Sequence, residues 1–469
     1  MKLNDFLTSM NDFMYTYLLL FLLIGADVYF TFRTRFVQLR LLKNAFKVIG
    51  EKPQGDNSEK EVSSFQALMI STASRVGTGN IAGIATAIAT GGPGAVFWMW
   101  IMALLGGASS FIESTLAQVY KVRDGENFRG GPSYYMEKAL KKRWMGILFS
   151  ILLILCFAYG FNGLQSFNIS SAFSYYIPNY EDSIFPMIVG LLLAIATAFI
   201  IFGGVHRIGF ISSVIVPIMA ITYLLIGIYV VVFNITELPH IFGIIFKGAF
   251  DAKAIFGGFA GSAVVIGIKR GLFSNEAGMG SAPNASASAS VSHPVKQGLV
   301  QIISVFIDTF LICTTTAMIL LFSGVEGVAG TLDGIPYVQE AISANVGKWG
   351  IHFLTFSILA FAFSSVIGNY YYAESNILFI KNNKTVLFIF RISCLVAVFF
   401  GAQADFSLAW NIADITMGLM ATVNIIAIVL LGNIAVKVLR DYEKQLKAGK
   451  NPVFHAKDVG IEHAECWEE

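Results

Sequence analysis

Three glycines, a threonine, an asparagine and an arginine fall in SRVGTGNIAG, Ser74 to Gly83, inside the otherwise apolar run FQALMISTASRVGTGNIAGIATAIA. Glycine lacks the Cβ that penalises non-helical backbone, so Gly77 and Gly79 predict an unwound point within a helix. The N–H groups of Thr78, Gly79 and Asn80, at the positive N-terminal end of the half-helix that follows, suit a carboxylate. Carbonyls freed at the end of the preceding half-helix, around Ala73 and Val76, suit a cation such as Na⁺. Close helix packing over small residues is the plainer reading, but the adjoining Ser, Arg, Thr and Asn favour binding. Gly77, Gly79 and Ala82 also fit the dinucleotide fingerprint, which needs a preceding strand and an acidic residue about 20 positions on. The next acidic residue is Glu113, and the preceding segment is a long apolar run.

Other polar residues stand in apolar surroundings. In CFAYGFNGLQSFNISSAF, Gln165 and Asn168 are three apart and share a helical face. Two uncharged amides there could hold an ammonium and a carboxylate, with Phe161 and Phe167 as walls, or could bond between helices. Arg75, Glu113, Asp308 and Asp414 are ionisable, and a charge in hydrocarbon has a partner or a role. A pair between Arg75 and Asp308 would neutralise both and could gate the break; Asp308 could instead bind a proton or Na⁺. Lys269, Arg270 and Glu276, in IKRGLFSNEAGMG, are expected near the cytoplasmic edge, as an internal gate or salt bridge at least as readily as in substrate contact, with Ser274 and Asn275 as weaker binding candidates.

The elements that must position these residues are membrane spans. Of the 469 residues 55% are hydrophobic and 13% charged, and the mean hydropathy is +0.67, far more apolar than a soluble domain. A net charge of +2 gives no reason to invoke nucleic acid. Four cysteines without a CxxC pair, and six scattered histidines, give no disulfide framework and no metal site. Runs of about 20 apolar residues number eleven: Tyr15–Phe32, Phe65–Thr90, Ala95–Tyr120, Gly146–Tyr175, Ile184–Phe202, Ile208–Asn234, Ala254–Phe273, Gly298–Phe322, Gly350–Tyr371, Thr385–Phe400 and Leu408–Ala435. The residues before the first run lack a signal-peptide pattern.

Basic residues cluster after the first run (Arg33 to Lys52) and after the third (Lys121 to Arg143), which makes both loops cytoplasmic. Alternation then puts the N-terminus outside and the C-terminus inside. Lys269, Arg270 and Lys296 fall inside by this reading, while Lys247, Lys253 and Lys348 are outside exceptions. With residues 1–64 set aside as an extra helix and loop, 65–234 and 235–435 hold five spans each, and the first spans of the two sets run in opposite directions. That is an inverted repeat, which predicts interruptions in corresponding helices. Residues 436–469 read as a charged, partly helical or disordered cytoplasmic tail.

The motifs GGPGAVFWMWIMALLG, VGTGNIAG, RGGPSYYM and RGLFSNEAGMGSAP resemble the alanine or glycine:cation symporter family, within the superfamily of LeuT-type amino-acid transporters. The resemblance runs from about Gly25 to Ala435. It implies an all-α integral membrane protein with a five-plus-five inverted repeat and one additional N-terminal helix. It further implies symport of a small neutral amino acid into the cell across the plasma membrane, coupled to Na⁺ or, in some members, H⁺. By the same resemblance Thr78, Gly79 and Asn80 meet the substrate carboxylate, Gln165 joins them, and Ser364 and Ser365 complete a sodium site with the carbonyls of Ala73 and Val76. Back-bonding of these hydroxyls to the preceding helical turn is the alternative.

Two departures from the family pattern matter. The segment between FAGSA and KRGLFSNEAG is shorter than expected, which leaves Gly257, Gly258 and Gly261 as alternatives to Gly271 for the second interruption. Asn369 stands where many members carry tryptophan, and a smaller polar side chain there would admit a larger or more polar substrate such as glutamine. A channel, a membrane enzyme and an amino-acid sensor on the same fold are the other classes, and the sensor is the closest alternative. No catalytic constellation is present in the sequence, so no enzyme is expected.

Overall fold

The computed structural model describes residues 3–53, 61–125, 127–203, 205–251 and 262–468. Among these, eight helices are long and apolar enough to cross a membrane: Asp5–Arg33, Gly94–Val119, Arg143–Tyr176, Ser213–Phe233, Pro294–Phe322, Trp349–Ile380, Lys384–Gly401 and Phe406–Lys447. Phe185–Ile201 is a shorter apolar helix. The remaining two expected spans are interrupted. The second crossing consists of Ser64–Arg75, a tight turn at Thr78–Asn80, and Ala82–Gly91. The seventh consists of Ala263–Asn275 and Pro283–Ser288.

These two interrupted helices form the centre of the molecule. Residues 67–88 and 265–290 are buried without exception. Around them, the fifth, sixth and tenth crossings turn large apolar side chains outward, among them Leu192, Phe199, Leu225, Phe233, Ile389 and Phe400. In water such a surface would aggregate; against hydrocarbon it is matched to its solvent. The protein is a multi-pass membrane protein.

Both interruptions have local causes. Val76 leaves the helical region (ψ 88°) and Gly77 is extended (φ −142°, ψ −144°), while the Asn80 side chain accepts from the Gly77 N–H at 2.9 Å. A Cβ on Gly77 would collide with Ser365 Oγ and stand 3.1 Å from Gln165 Nε2, so the close approach of the fourth and ninth crossings requires glycine there. In the seventh crossing Glu276 takes a left-handed conformation (φ 54°), and Gly278 and Gly280 follow with φ of 76° and 90°.

The second interruption therefore lies at Glu276–Ala282, deeper than expected. Gly271 is inside the helix Ala263–Asn275 and is not the break; Gly257, Gly258 and Gly261 lie outside the described residues. Lys269 and Arg270 are likewise not at an exposed edge. They are buried in the half of the seventh crossing that packs beside the start of the chain, where Lys269 Nζ and Arg270 Nη2 each lie 2.8 Å from Asp414 Oδ2. Asn11 also donates to Asp414, at 3.3 Å, and the Tyr15 hydroxyl to its carbonyl, at 3.0 Å. The polar run SNEAGMGS reads as a membrane exit because it ends an apolar stretch. It stays buried because its polar groups bond to one another and to neighbouring crossings.

The tail is partly helical, with Phe406–Lys447 running into it and Ala456–Val459 beyond. It folds back onto the end of the bundle opposite the N-terminus: Phe454 N–H donates to the Ser292 carbonyl at 2.9 Å, Trp467 Nε1 to that of Gln118 at 2.8 Å, and Lys138 pairs with Glu465 at 2.7 Å.

Candidate functional site

The site builds up from the first interruption. Ser365, on the ninth crossing, places its hydroxyl 3.0 Å from the Ala73 carbonyl, 3.5 Å from that of Val76 and 3.1 Å from that of Phe361. Three carbonyls and a hydroxyl thus converge at one point on the end of the half-helix Ser64–Arg75. All are hard, uncharged oxygens, the donor set a small alkali cation needs when it sheds water. Ser364 turns back to the Phe361 carbonyl at 2.8 Å, the intrahelical bond common in membrane helices. The contact of Ser365 with the Phe361 carbonyl is likewise a bond to its own preceding turn, so of the three carbonyls only those of Ala73 and Val76 come from the second crossing.

One turn further on, Thr78 N–H donates to Gln165 Oε1 at 3.2 Å. That bond ties the fourth crossing to the break. The Thr78 hydroxyl is buried with no partner. Gly79 faces the Phe273 ring, which would lie 2.9 Å from an added Cβ. A π-helical stretch, Ile154–Phe161, immediately precedes Asn162 and Gln165. Such stretches widen a helix where side chains must be re-aimed.

Asn80 points away from Gln165 toward the eighth crossing. Its Nδ2 donates to Asp308 Oδ1 at 2.6 Å and to Ser274 Oγ at 3.0 Å, and Ser274 in turn donates to Asp308 Oδ2 at 2.8 Å. Thr309 adds a bond to the same carboxyl at 3.1 Å. Asn275 lies beside this group, donating to Thr309 Oγ1 at 3.4 Å and capping Ala277 N–H at 3.0 Å. Asp308 is on its own π-helical stretch, Ile307–Cys313.

Arg75 does not pair with Asp308. Its guanidinium donates to Gln301 Oε1 at 3.1 Å and to Ser110 Oγ at 3.4 Å, and its Nε has no partner. Glu276 is the carboxylate that spans the two interruptions, accepting from Ser74 at 3.0 Å and from Ser281 at 2.5 Å. Ser74 also reaches Asn369 Oδ1 at 2.8 Å, and Asn369 Nδ2 donates to Asn162 Oδ1 at 3.0 Å. A chain of bonds therefore runs from the seventh crossing through the second and ninth to the fourth.

Glu113, on the third crossing, secures the second interruption. Its two oxygens accept from Gly278 N–H at 3.3 Å, Gly280 N–H at 3.0 Å and Asn424 Nδ2 at 2.8 Å. These N–H groups lost their helical acceptors when the helix unwound, and a buried N–H without an acceptor costs free energy.

Two expected wall residues separate. Phe161 meets Phe273 edge-on at 4.9 Å, beside the break. Phe167 is not there; it lines a cavity of ≈ 800 Å³ open at the N-terminal end, with Ser170, Asp405 and Phe406. Phe406, Trp410, Phe273 and Phe161 form a row of tilted and edge-on ring contacts that leads from that cavity to the interruption, at centroid distances of 6.2, 5.1 and 4.9 Å. Arg270 caps the row 4.1 Å from the Trp410 ring. Asn168 bonds within its own helix, to the Leu164 carbonyl at 2.9 Å, and plays no part in the site.

The comparisons with known proteins agree with this architecture. The chain is 50% identical over 470 residues to the amino-acid carrier protein AlsT of Bacillus subtilis (strain 168), covering 99% of this chain and 98% of that one. It is 50% identical over 459 residues to the probable sodium/glutamine symporter GlnT of the same organism, covering 97% and 94%. Among solved structures, that of MhsT in complex with L-phenylalanine superposes with a TM-score of 0.57 at 13% identity, covering 84% of this chain and 90% of that one, and shows that the fold is of the LeuT type. The profile of the sodium:alanine symporter family matches residues 1–456. The protein with this pair of interrupted helices is a transporter and not an enzyme, and it belongs to the sodium:alanine symporter family.

Proposed function

We propose that the chain is a Na⁺-coupled symporter that brings a small neutral amino acid, alanine or glycine, into the cell by alternating access. The observation that carries this reading is the convergence of Ser365 Oγ with the Ala73, Val76 and Phe361 carbonyls, one turn from the Thr78 N–H. Na⁺ is taken here as a transported substrate. It would be held by those four oxygens, with the Ser364 hydroxyl able to turn toward it. The amino acid's carboxylate would take the N–H groups of Thr78, Gly79 and Asn80, displacing Gln165 Oε1 from Thr78. Gln165 is then released to meet the ammonium group. Phe161 and Phe273 limit the space for the side chain, which fits a small substrate.

The carboxylate cluster supplies the second half of the cycle. Asp308 with Asn80, Ser274 and Asn275 joins the two interrupted helices, so it senses their separation and is the candidate for a second cation or a proton. Arg75 and Glu276 act as a gate, Glu276 through Ser74 and Asn369 and Arg75 through Gln301 and Ser110. The chain is oriented with its N-terminus outside the plasma membrane and its tail in the cytoplasm, facing lipid on the fifth, sixth and tenth crossings. The free energy comes from the ion gradient, about 2.3 kcal/mol per charge per 100 mV.

The test is uptake of radiolabelled alanine, glycine and glutamine into proteoliposomes, each with and without an inward Na⁺ gradient at fixed pH. Na⁺-dependent accumulation of alanine or glycine is expected. Preferential accumulation of glutamine would replace alanine and glycine as the substrate. Uptake that follows a pH gradient and ignores Na⁺ would move the coupling to Asp308, and binding without accumulation would favour a sensor.

A further inference from the structure

Asp27, on the extra N-terminal helix, is 1% exposed and takes no part in the site above. Its Oδ1 accepts from Ser109 on the third crossing, and its Oδ2 is buried with no partner. No basic side chain forms an ion pair with it among the described residues. An ionised carboxyl in this setting costs several kcal/mol, because neither a counter-charge nor a full set of donors offsets its lost hydration.

What Oδ2 faces gives the group a second meaning. It lies 3.5 Å from where Gly106 would carry a Cβ, and the same point is 2.9 Å from the Ala277 Cβ. Lacking a Cβ, Gly106 thus leaves a point in the third crossing that both Asp27 and Ala277, the residue after Glu276 inside the second interruption, approach. An alkali cation would need several oxygens there, whereas Oδ2 is buried with no polar partner; a proton needs one atom.

We propose that Asp27 is a proton-binding site, neutral in the state described here, whose affinity is linked to the position of the seventh crossing. When Ala277 moves and water reaches Oδ2, the O–H bond breaks and the proton passes to that water, leaving a hydrated carboxylate. The charged groups on the elements around Asp27 are engaged elsewhere. Glu113, on the third crossing, is held by Gly278, Gly280 and Asn424. Glu276 is held by Ser74 and Ser281, and Asp308 by Asn80 and Ser274. Asp414, on the eleventh crossing, pairs with Lys269 and Arg270, and Arg75 is turned to Gln301 and Ser110. On its own helix, Arg33 donates to Asn433 at 2.8 Å.

The linkage rests on the symport reading; the protonation does not. Infrared difference spectra of the purified full chain, wild type minus Asp27→Asn at neutral pH, read both. The expected result is loss of one protonated-acid C=O band, a band that in the wild type shifts or weakens when alanine and Na⁺ are added together. Loss of a carboxylate band instead would overturn the proposal, and a protonated band indifferent to alanine and Na⁺ would overturn the linkage alone. Should Asp27→Asn not fold, Ser109→Ala removes the donor to Oδ1 and is expected to raise the frequency of the same band; an unchanged acid region would contradict the assignment.

Discussion

At the scale of residues, the account turns on Ser365 and Gly77. Ser365 is the only side chain among the four converging oxygens, and Gly77 makes room for it. Removing one ligand while leaving three carbonyls should weaken Na⁺ rather than abolish it. Ser365→Ala is therefore expected to raise the Na⁺ concentration for half-maximal uptake by about tenfold, equivalent to about 1.4 kcal/mol, and Ser364→Ala by far less. Equal effects of the two would contradict the assignment. Gly77 and Gly79 are legible because glycines set among polar residues inside an apolar run do more than let helices pack closely. Asn80 is legible as a functional residue but not in its direction, since spacing alone does not say whether it faces Gln165 or Asp308. Asn369 is tied to Ser74 and Asn162, a partnership set by three crossings distant in sequence and invisible to any local pattern.

Elements explain why the unwound segments hold their shape. A helix that opens in a low-dielectric interior orphans N–H groups, and the third crossing supplies Glu113 to take two of them. Glu113→Gln keeps the size but replaces one acceptor oxygen with an NH₂ that faces donors. The expected cost is about 1–3 kcal/mol, read as a lower melting temperature of the detergent-solubilised protein, with a larger loss of transport than of folded protein. A melting temperature unchanged from wild type would show that Glu113 does not secure the segment. The sequence carries the presence of this second interruption, through its glycines and the repeat, but not its depth. Ser274, Asn275 and Glu276 read as a boundary by polarity, because the partners that let them stay inside, Asp308, Thr309, Ser74 and Ser281, lie on other helices or past the turn.

For the whole molecule, the eleven crossings and the five-plus-five symmetry follow from hydropathy and loop charge, both of which are local and additive along the chain. What those signals miss is how the ends pack. The row of aromatic rings from Phe406 to Phe161 fills the space beside the N-terminal cavity. The tail, which composition alone would leave loose, packs Phe454 and Trp467 against the opposite end. Each is a long-range packing outcome.

One cation and one amino acid proposed to bind beside the same break should have coupled affinities, and the coupling is equal in both directions. Equilibrium binding of labelled alanine to the purified protein with and without saturating Na⁺, paired with Na⁺ binding with and without saturating alanine, measures this directly. The account predicts that each ligand tightens the other by the same factor, at least about fivefold, and that the factor falls in Ser365→Ala. Alanine binding of equal strength in Na⁺ and in a Na⁺-free buffer would contradict it.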